Sequence, residues 1–337
     1  MGTVRLTMAQ ALVRHLAAQW VETGGIEDEN GQRERLFAGC WAIFGHGNVA
    51  GMGEALYAHR EQLPTLRAHN EQAMALSAIA YAKAKFRRRM MAVTTSIGPG
   101  ATNLVTAAAL AHVDRLPVLL LPGDIYASRR PDPVLQQVED FGDGTVSAND
   151  CFRPVSRYFD RITRPEQILT ALPRALAVLT DPAECGPVTL ALCQDVQAEA
   201  YDYPAWFFEE QVHRIRRPGP DEAELAAAVA ALRKAERPLV IAGGGVLYSG
   251  AAKALAGFAE RHGLPVAETQ AGKGSLAWNH PANVGSIGVT GSSAANALAV
   301  DADVVLAVGT RLQDFTTGSR ALFRAPGRTL IQLNAAV

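Results

Sequence analysis

Four segments of this chain, 36–44, 91–95, 117–121 and 187–192, are apolar almost throughout rather than at alternate positions. A strand with one wet face alternates polar and apolar residues, so a strand without alternation is covered on both faces. Between these segments lie stretches with helical character: through Glu54-Ala55-Leu56, from His69 to Lys85, from Ala101 to His112, and from Pro165 onward. Alternation of this kind predicts a parallel sheet with helices on both sides, an α/β fold. A short strand is expected near Leu66, and Pro122-Gly123 is expected to stop the third apolar strand. Thr7-Met8-Ala9-Gln10 has the form of a capping box opening a first helix. Glu22 to Arg35 reads as an exposed polar loop, and Tyr126 to Arg153 as irregular.

The alternation begins again further on. Helices are expected over 221–236, 251–262 and near 292–299, with strands at 239–242, 264–267, 304–308 and 329–333. The stretch between the two series is rich in proline, arginine and aromatic residues and reads as a linker over the surface. The expected organisation is one α/β domain over 1–197, a linker over 198–220, and a second α/β domain over 221–337. Lys plus Arg is 32 and Asp plus Glu is 33, a net charge of −1, which argues against a general nucleic-acid or anionic-membrane binder. The apolar stretch 104–121 is broken by His112, Asp114 and Arg115, too polar to span a bilayer. The four cysteines include no Cys-x-x-Cys pair, and no charged segment followed by an apolar run opens the chain. A reducing cytoplasm is the expected location.

Two motifs carry chemistry. Glu71, in His69-Asn70-Glu71-Gln72-Ala73, stands at the mouth of an apolar helix. Alone it reads as a first-turn acid favoured by the helix dipole. The second motif, Thr95-Ser96-Ile97-Gly98-Pro99-Gly100-Ala101-Thr102-Asn103, joins a strand to a helix through a turn that permits close backbone approach.

Together these motifs resemble the pyrimidine-binding half of the thiamine diphosphate enzymes related to acetohydroxyacid synthase. Further stretches extend the resemblance over nearly the whole chain: Arg153-Pro154-Val155-Ser156, Gly186-Pro187-Val188, Asp195-Val196-Gln197, Arg237-Pro238 through Gly243-Gly244-Gly245, Gly272-Lys273-Gly274 and Gly309-Thr310-Arg311. The resemblance implies two doubly wound parallel-sheet domains, a pyrimidine-binding domain and a central domain. It implies Glu71 as the catalytic acid against the aminopyrimidine. It implies Gly47, Asn48, Glu71, Ser96, Gly98, Pro99 and Asn103 around the cofactor, with no metal ligand. By position, His46 in the first loop and His69 just before Glu71 are candidate substrate contacts, with a structural hydrogen bond as the alternative for each. The loop Phe44-Gly45-His46-Gly47-Asn48-Val49 departs from the Pro-Gly-Gly of many relatives, which leaves polar groups for another substrate.

Within the family, Gly45-His46-Gly47-Asn48-Val49-Ala50, Leu121-Pro122-Gly123-Asp124, Asp132 to Gln137, Asp195 to Pro204 and Asp314 to Ser319 resemble a branch that serves inositol catabolism. That branch adds water across a carbon–carbon bond of a cyclic 1,2-diketone and releases 5-deoxyglucuronate. The family binds thiamine diphosphate with Mg²⁺ through a Gly-Asp-Gly followed by a later Asn. Gly142-Asp143-Gly144 has no such Asn after it and reads as a loop. The C-terminal diphosphate-binding domain is therefore expected to be absent. The cofactor and Mg²⁺ would be incompletely held, and the chain would need a complementary C-terminal half or a homo-oligomeric partner. The competing readings are an inert fragment or assembly module, and an acetohydroxyacid synthase-like carboligase with FAD. Gly243-Gly244-Gly245 lacks the spacing of a dinucleotide loop.

Overall fold

The computed structural model describes residues 2–22, 33–131, 133–138 and 142–336. They divide into two compact units, Met1–Arg216 and Arg217–Val337. The first unit is built on a six-stranded sheet in the order Thr65–Arg67, Phe37–Ala42, Met90–Thr95, Val118–Asp124, Pro187–Cys193, Tyr158–Ile162. Every neighbouring pair is parallel. The central strands Met90–Thr95, Val118–Asp124 and Pro187–Cys193 are buried at every residue, which is the reason they lack alternation. Helices Met8–Ala17 and Ile168–Leu179 cover one face, packing Leu12, Leu16, Leu172 and Leu176 against Leu119, Leu121 and Leu190. Helices Glu71–Ala84 and Val105–Asp114 pack beside the strands from the other side.

The second unit has five parallel strands in the order Asn283–Ser286, Val266–Glu268, Pro238–Ala242, Val304–Val308, Thr329–Leu333. Strand Pro238–Ala242 sends Val240 and Ala242 to a cluster with Leu255 and Ala259 of helix Ala252–His262. It sends Leu239 and Ile241 to a cluster with Ala295 and Ala299 of helix Ser293–Asp301. Both faces are covered, so both units are α/β and built on parallel sheets, as the apolar runs predict. Among the described residues no helix is long and apolar enough to cross a membrane.

The structure revises several local expectations. Pro122-Gly123 does not stop the third strand, which runs to Asp124. Pro122 stands opposite Thr95 near the strand end, where a missing N–H removes little of the ladder. The helix expected over 101–112 is two, Pro99–Thr102 and Val105–Asp114, parted at Asn103-Leu104. The stretch read as a surface linker is in large part bound to the first unit. Ala200–Pro204 pairs antiparallel with Thr3–Thr7, Gln211–His213 pairs with Gln19–Glu22, and Tyr203 and Phe207 are fully buried. Aromatic side chains of this size bring more apolar area to the core than an exposed tether would use. Of the loop expected over Glu22 to Arg35, Arg33–Arg35 is a strand paired with Gln19–Glu22; residues 23–32 lie outside the described residues.

A buried polar relay ties that strap to the first helix. His15 is 1% exposed, and its Nδ1–H donates to Phe207 O at 2.7 Å. Gln19 Nε2 approaches His15 Nε2 at 3.4 Å, and His213 Nε2–H donates to Gln19 Oε1 at 2.8 Å. The arrangement needs a neutral His15, and burial pushes its pKa from 6.5 down to about 4. Burial lowers His213 as well. A histidine whose folded pKa is depressed binds its proton more readily when unfolded, so stability is lost as pH falls from about 6.5 toward 4. For His15 alone the loss is on the order of 3 kcal/mol. Urea unfolding of the first unit at pH 7.5 and 4.5 measures it. His15→Phe should flatten the slope between those values; an unchanged slope would exclude the relay as its source.

Candidate active site

Helix Glu71–Ala84 begins where it does because Asn70 is an effective cap: its Oδ1 accepts from Ala73 N at 2.9 Å. The cap places Glu71 in the first turn, half-buried, beside the end of strand Met90–Thr95. Asn103 Nδ2–H donates to Glu71 Oε2 at 2.8 Å. The other carboxylate oxygen, Oε1, lies 3.5 Å from the point that a Cβ on Gly100 would occupy. The same point is only 2.3 Å from Ser96 Oγ. A side chain at position 100 would therefore fill the space in front of the carboxylate and drive into Ser96.

The glycines of the turn divide their work. Gly98 has φ +60 and ψ −118, a conformation that side chains resist. A Cβ there would stand 1.9 Å from Gln136 O. The close approach at Gly98 is thus made by the backbone of Gln136, not by open space for a ligand. Gly98→Ala is expected to destabilise the first unit by more than about 1 kcal/mol, because the residue cannot adopt this φ without strain. A thermal midpoint equal to that of the wild type would contradict the placement. Pro99 is exposed at the first turn of the short helix, and Ser96 and Gly100 are buried.

The loop after strand Phe37–Ala42 closes the group from the other side. Gly45 and Ser96 are in close contact: a Cβ on Gly45 would lie 2.9 Å from Ser96 Cβ. Ile97 N–H donates to His46 O at 3.0 Å. Gly47, at φ +92, faces Ile97 Cγ2. Asn48 is buried and committed inside the loop: Nδ2 donates to Ile43 O and Thr94 Oγ1, and Oδ1 accepts from Gly45 N. The side chain expected at the cofactor instead holds the loop in shape. The Nε2 of His46 is buried and, among the described residues, has no hydrogen-bond partner. His69 is exposed ahead of the helix cap. The structure therefore brings Gly47, Ser96, Gly100, Asn103 and Glu71 into one run of contacts, and leaves His69 outside the contacts just described.

Sequence reading missed three participants. Gly100 was legible within the Gly-Pro-Gly turn but not separable from Gly98. Gly123 lies against the first loop, where a Cβ would meet Gly47 O at 2.9 Å. Gln136, at φ +64, reaches the turn only through tertiary structure.

Two other motifs are structural. Asp143 Oδ1 accepts from Thr145 N and Oγ1, a local turn on the surface. The glycines 243–245 make room for backbone: a Cβ on Gly243 would lie 2.3 Å from Gly309 O, and one on Gly245 would lie 2.5 Å from Gly309 Cα. Among the described residues no group of three or more His, Cys, Asp or Glu is placed to hold a metal ion.

A carboxylate at a helix start, fixed by an Asn from a Gly-Pro-Gly turn and followed by a second α/β unit, defines a class. The chain belongs to the thiamine pyrophosphate enzymes: residues 40–143 match the family model of their N-terminal TPP binding domain, and residues 225–336 match that of their central domain. It is 49% identical over 334 residues to a 3D-(3,5/4)-trihydroxycyclohexane-1,2-dione hydrolase of Bacillus anthracis, covering 99% of this chain and 51% of that protein. It is 52% identical over 323 residues to the 3D-(3,5/4)-trihydroxycyclohexane-1,2-dione hydrolase of Geobacillus thermodenitrificans, covering 96% and 50%. The chain spans about half the length of the curated relatives it matches.

Proposed function

We propose that the first unit holds the aminopyrimidine of thiamine diphosphate, with Glu71 as the acid at its N1′, in an enzyme that hydrolyses a carbon–carbon bond of a trihydroxycyclohexane-1,2-dione in inositol catabolism. The observation that carries this reading is the Asn103–Glu71 hydrogen bond, which occupies Oε2 and leaves Oε1 turned toward the bare Cα of Gly100. The residues fit the group: with no side chain at position 100, Glu71 Oε1 is left uncovered on that side for the approach of a ring nitrogen. When bound, the cofactor supplies the carbanion chemistry that the side chains lack. Glu71 holds a proton at Oε1 against the pyrimidine nitrogen. Asn103 keeps the carboxyl from rotating, and Gly47 and Ser96 border the same space. The orphaned Nε2 of His46 is the group we assign to a substrate hydroxyl or carbonyl.

The aminopyrimidine with its substituents offers about nine heavy atoms, worth ~3–5 kcal/mol at ~0.3–0.5 kcal/mol each, so this half-site alone binds at about millimolar. The diphosphate and Mg²⁺ are assigned to a Gly-Asp-Gly…Asn motif outside these residues. The test mixes this chain with a polypeptide carrying the second half of a relative, thiamine diphosphate and Mg²⁺, and follows consumption of the cyclic diketone. Hydrolysis that requires both polypeptides supports the reading. A mixture that binds the cofactor but joins two 2-oxo acids instead would replace it with a carboligase.

A further inference from the structure

We infer that Gln197, which lies outside the motifs around Glu71, is a positioning residue that sets the backbone of the 45–53 loop where that loop borders the cofactor space. Gln197 is 1% exposed, in the turn that follows strand Pro187–Cys193. Its Nε2 donates to Gly47 O at 2.5 Å and to Leu192 O at 3.1 Å. Its Oε1 accepts from Met52 N at 3.2 Å. Both amide hydrogens and the carbonyl are thus engaged, and two of the three bonds end on the loop. In the sheet, strands Met90–Thr95 and Val118–Asp124 stand between the strand that carries the loop and the strand that carries Gln197. The side chain ties the loop across their ends.

The loop is shaped to receive this amide. Residues Val49–Gly53 form a π-helical turn, a widened backbone often found at functional sites. Gly51 lies against the Gln197 side chain: a Cβ there would stand 2.4 Å from Gln197 Cβ and 2.7 Å from its Oε1. Gly123 leaves room for Gly47 O on the other side. Asn48 fixes the front of the loop from within, and Gln197 fixes Gly47 and Met52 from outside. A residue with three bonds to backbone and no exposed polar atom acts through the loop and not on a ligand.

The inference rests on the reading that this loop faces thiamine diphosphate, and the test separates the two. Three variants are compared with the wild type in the full chain. Gln197→Met keeps the length and removes the bonds. Gln197→Glu sets acceptors against the Gly47 and Leu192 carbonyls. Gly51→Ala presses on the amide from the opposite side. Amide hydrogen exchange is read at Met52 and at core residues of helix Ile168–Leu179, and thiamine diphosphate is titrated into the millimolar range while backbone amide resonances are followed. The expected result is exchange at Met52 at least tenfold faster with core exchange far less affected, and affinity about tenfold weaker. The shift of Gly47 should change while that of Asn103 is retained. If Met52 exchanges no faster in any variant, the amide does not hold the loop and the inference fails. If exchange rises but affinity is unchanged, the loop is held for stability alone and the inference also fails. If the wild type shows no shift at Gly47, Gly100 or Asn103, the cofactor reading itself falls, whatever the exchange data say of the loop.

Discussion

Glu71→Gln should lower hydrolysis of the cyclic diketone by roughly 10²- to 10⁴-fold in an assembly that contains the diphosphate-binding residues, the range expected for loss of a positioned acid. The amide has the shape of the carboxyl and can still accept from Asn103, so the change removes a proton site with little change in packing. Stability should stay within about 0.5 kcal/mol of the wild type, because Glu71 is only half-buried and the helix keeps its Asn70 cap. Cofactor affinity should change far less than turnover. A variant that retains full turnover would remove Glu71 from the chemistry. One that loses turnover only by failing to bind thiamine diphosphate would make it a ligand contact and not an acid.

The second large effect concerns stability. Asp124 is 1% exposed, and its carboxylate accepts from Arg161 Nε at 2.8 Å, Ser147 Oγ at 2.6 Å and Ile125 N at 2.8 Å. Arg161 also donates to Asp150 Oδ1 at 3.1 Å. Arg161→Met leaves Asp124 buried without its cation and should destabilise the first unit by about 3–5 kcal/mol. The double variant Arg161→Met with Asp124→Asn should recover part of that loss, because the orphaned charge is what carries the penalty. Urea unfolding of the three proteins decides it. If the double variant is as unstable as the single one, packing and not charge explains the loss. Asp124 directly follows Gly123, which lies against Gly47 O, so a loosened pair should also disturb the 45–53 loop.

Much of the frame was legible because local chemistry and tertiary environment agree. Thr7 and Gln10 form the capping box their spacing suggests, and the unalternating apolar runs are the buried central strands. Strand Tyr158–Ile162 was not legible. Its Asp160 and Arg161 look like loop residues until the partner of Arg161, buried Asp124, is known. The strap 200–213 reads as a linker by composition, and only pairing with Thr3–Thr7 and Gln19–Glu22 shows where its aromatic residues go. At the site, Glu71 and the Gly-Pro-Gly turn were visible from residue type and order. The separate tasks of Gly98 and Gly100 were not, because one is decided by Gln136 and the other by Glu71, both distant in sequence, together with nearby Ser96. Asn48 shows the same limit in reverse: a polar residue in a site loop can be wholly spent on the loop itself.

The measurement that bears most directly on the account is a thiamine diphosphate titration of this chain read residue by residue from its backbone amides. Shifts concentrated at Gly47, Gly100 and Asn103, saturating in the millimolar range and displaced in Glu71→Gln, are the expected result. Shifts confined to Gly243–Gly245 of the second unit, or no shift near Glu71 at any concentration, would contradict the assignment of the pyrimidine site.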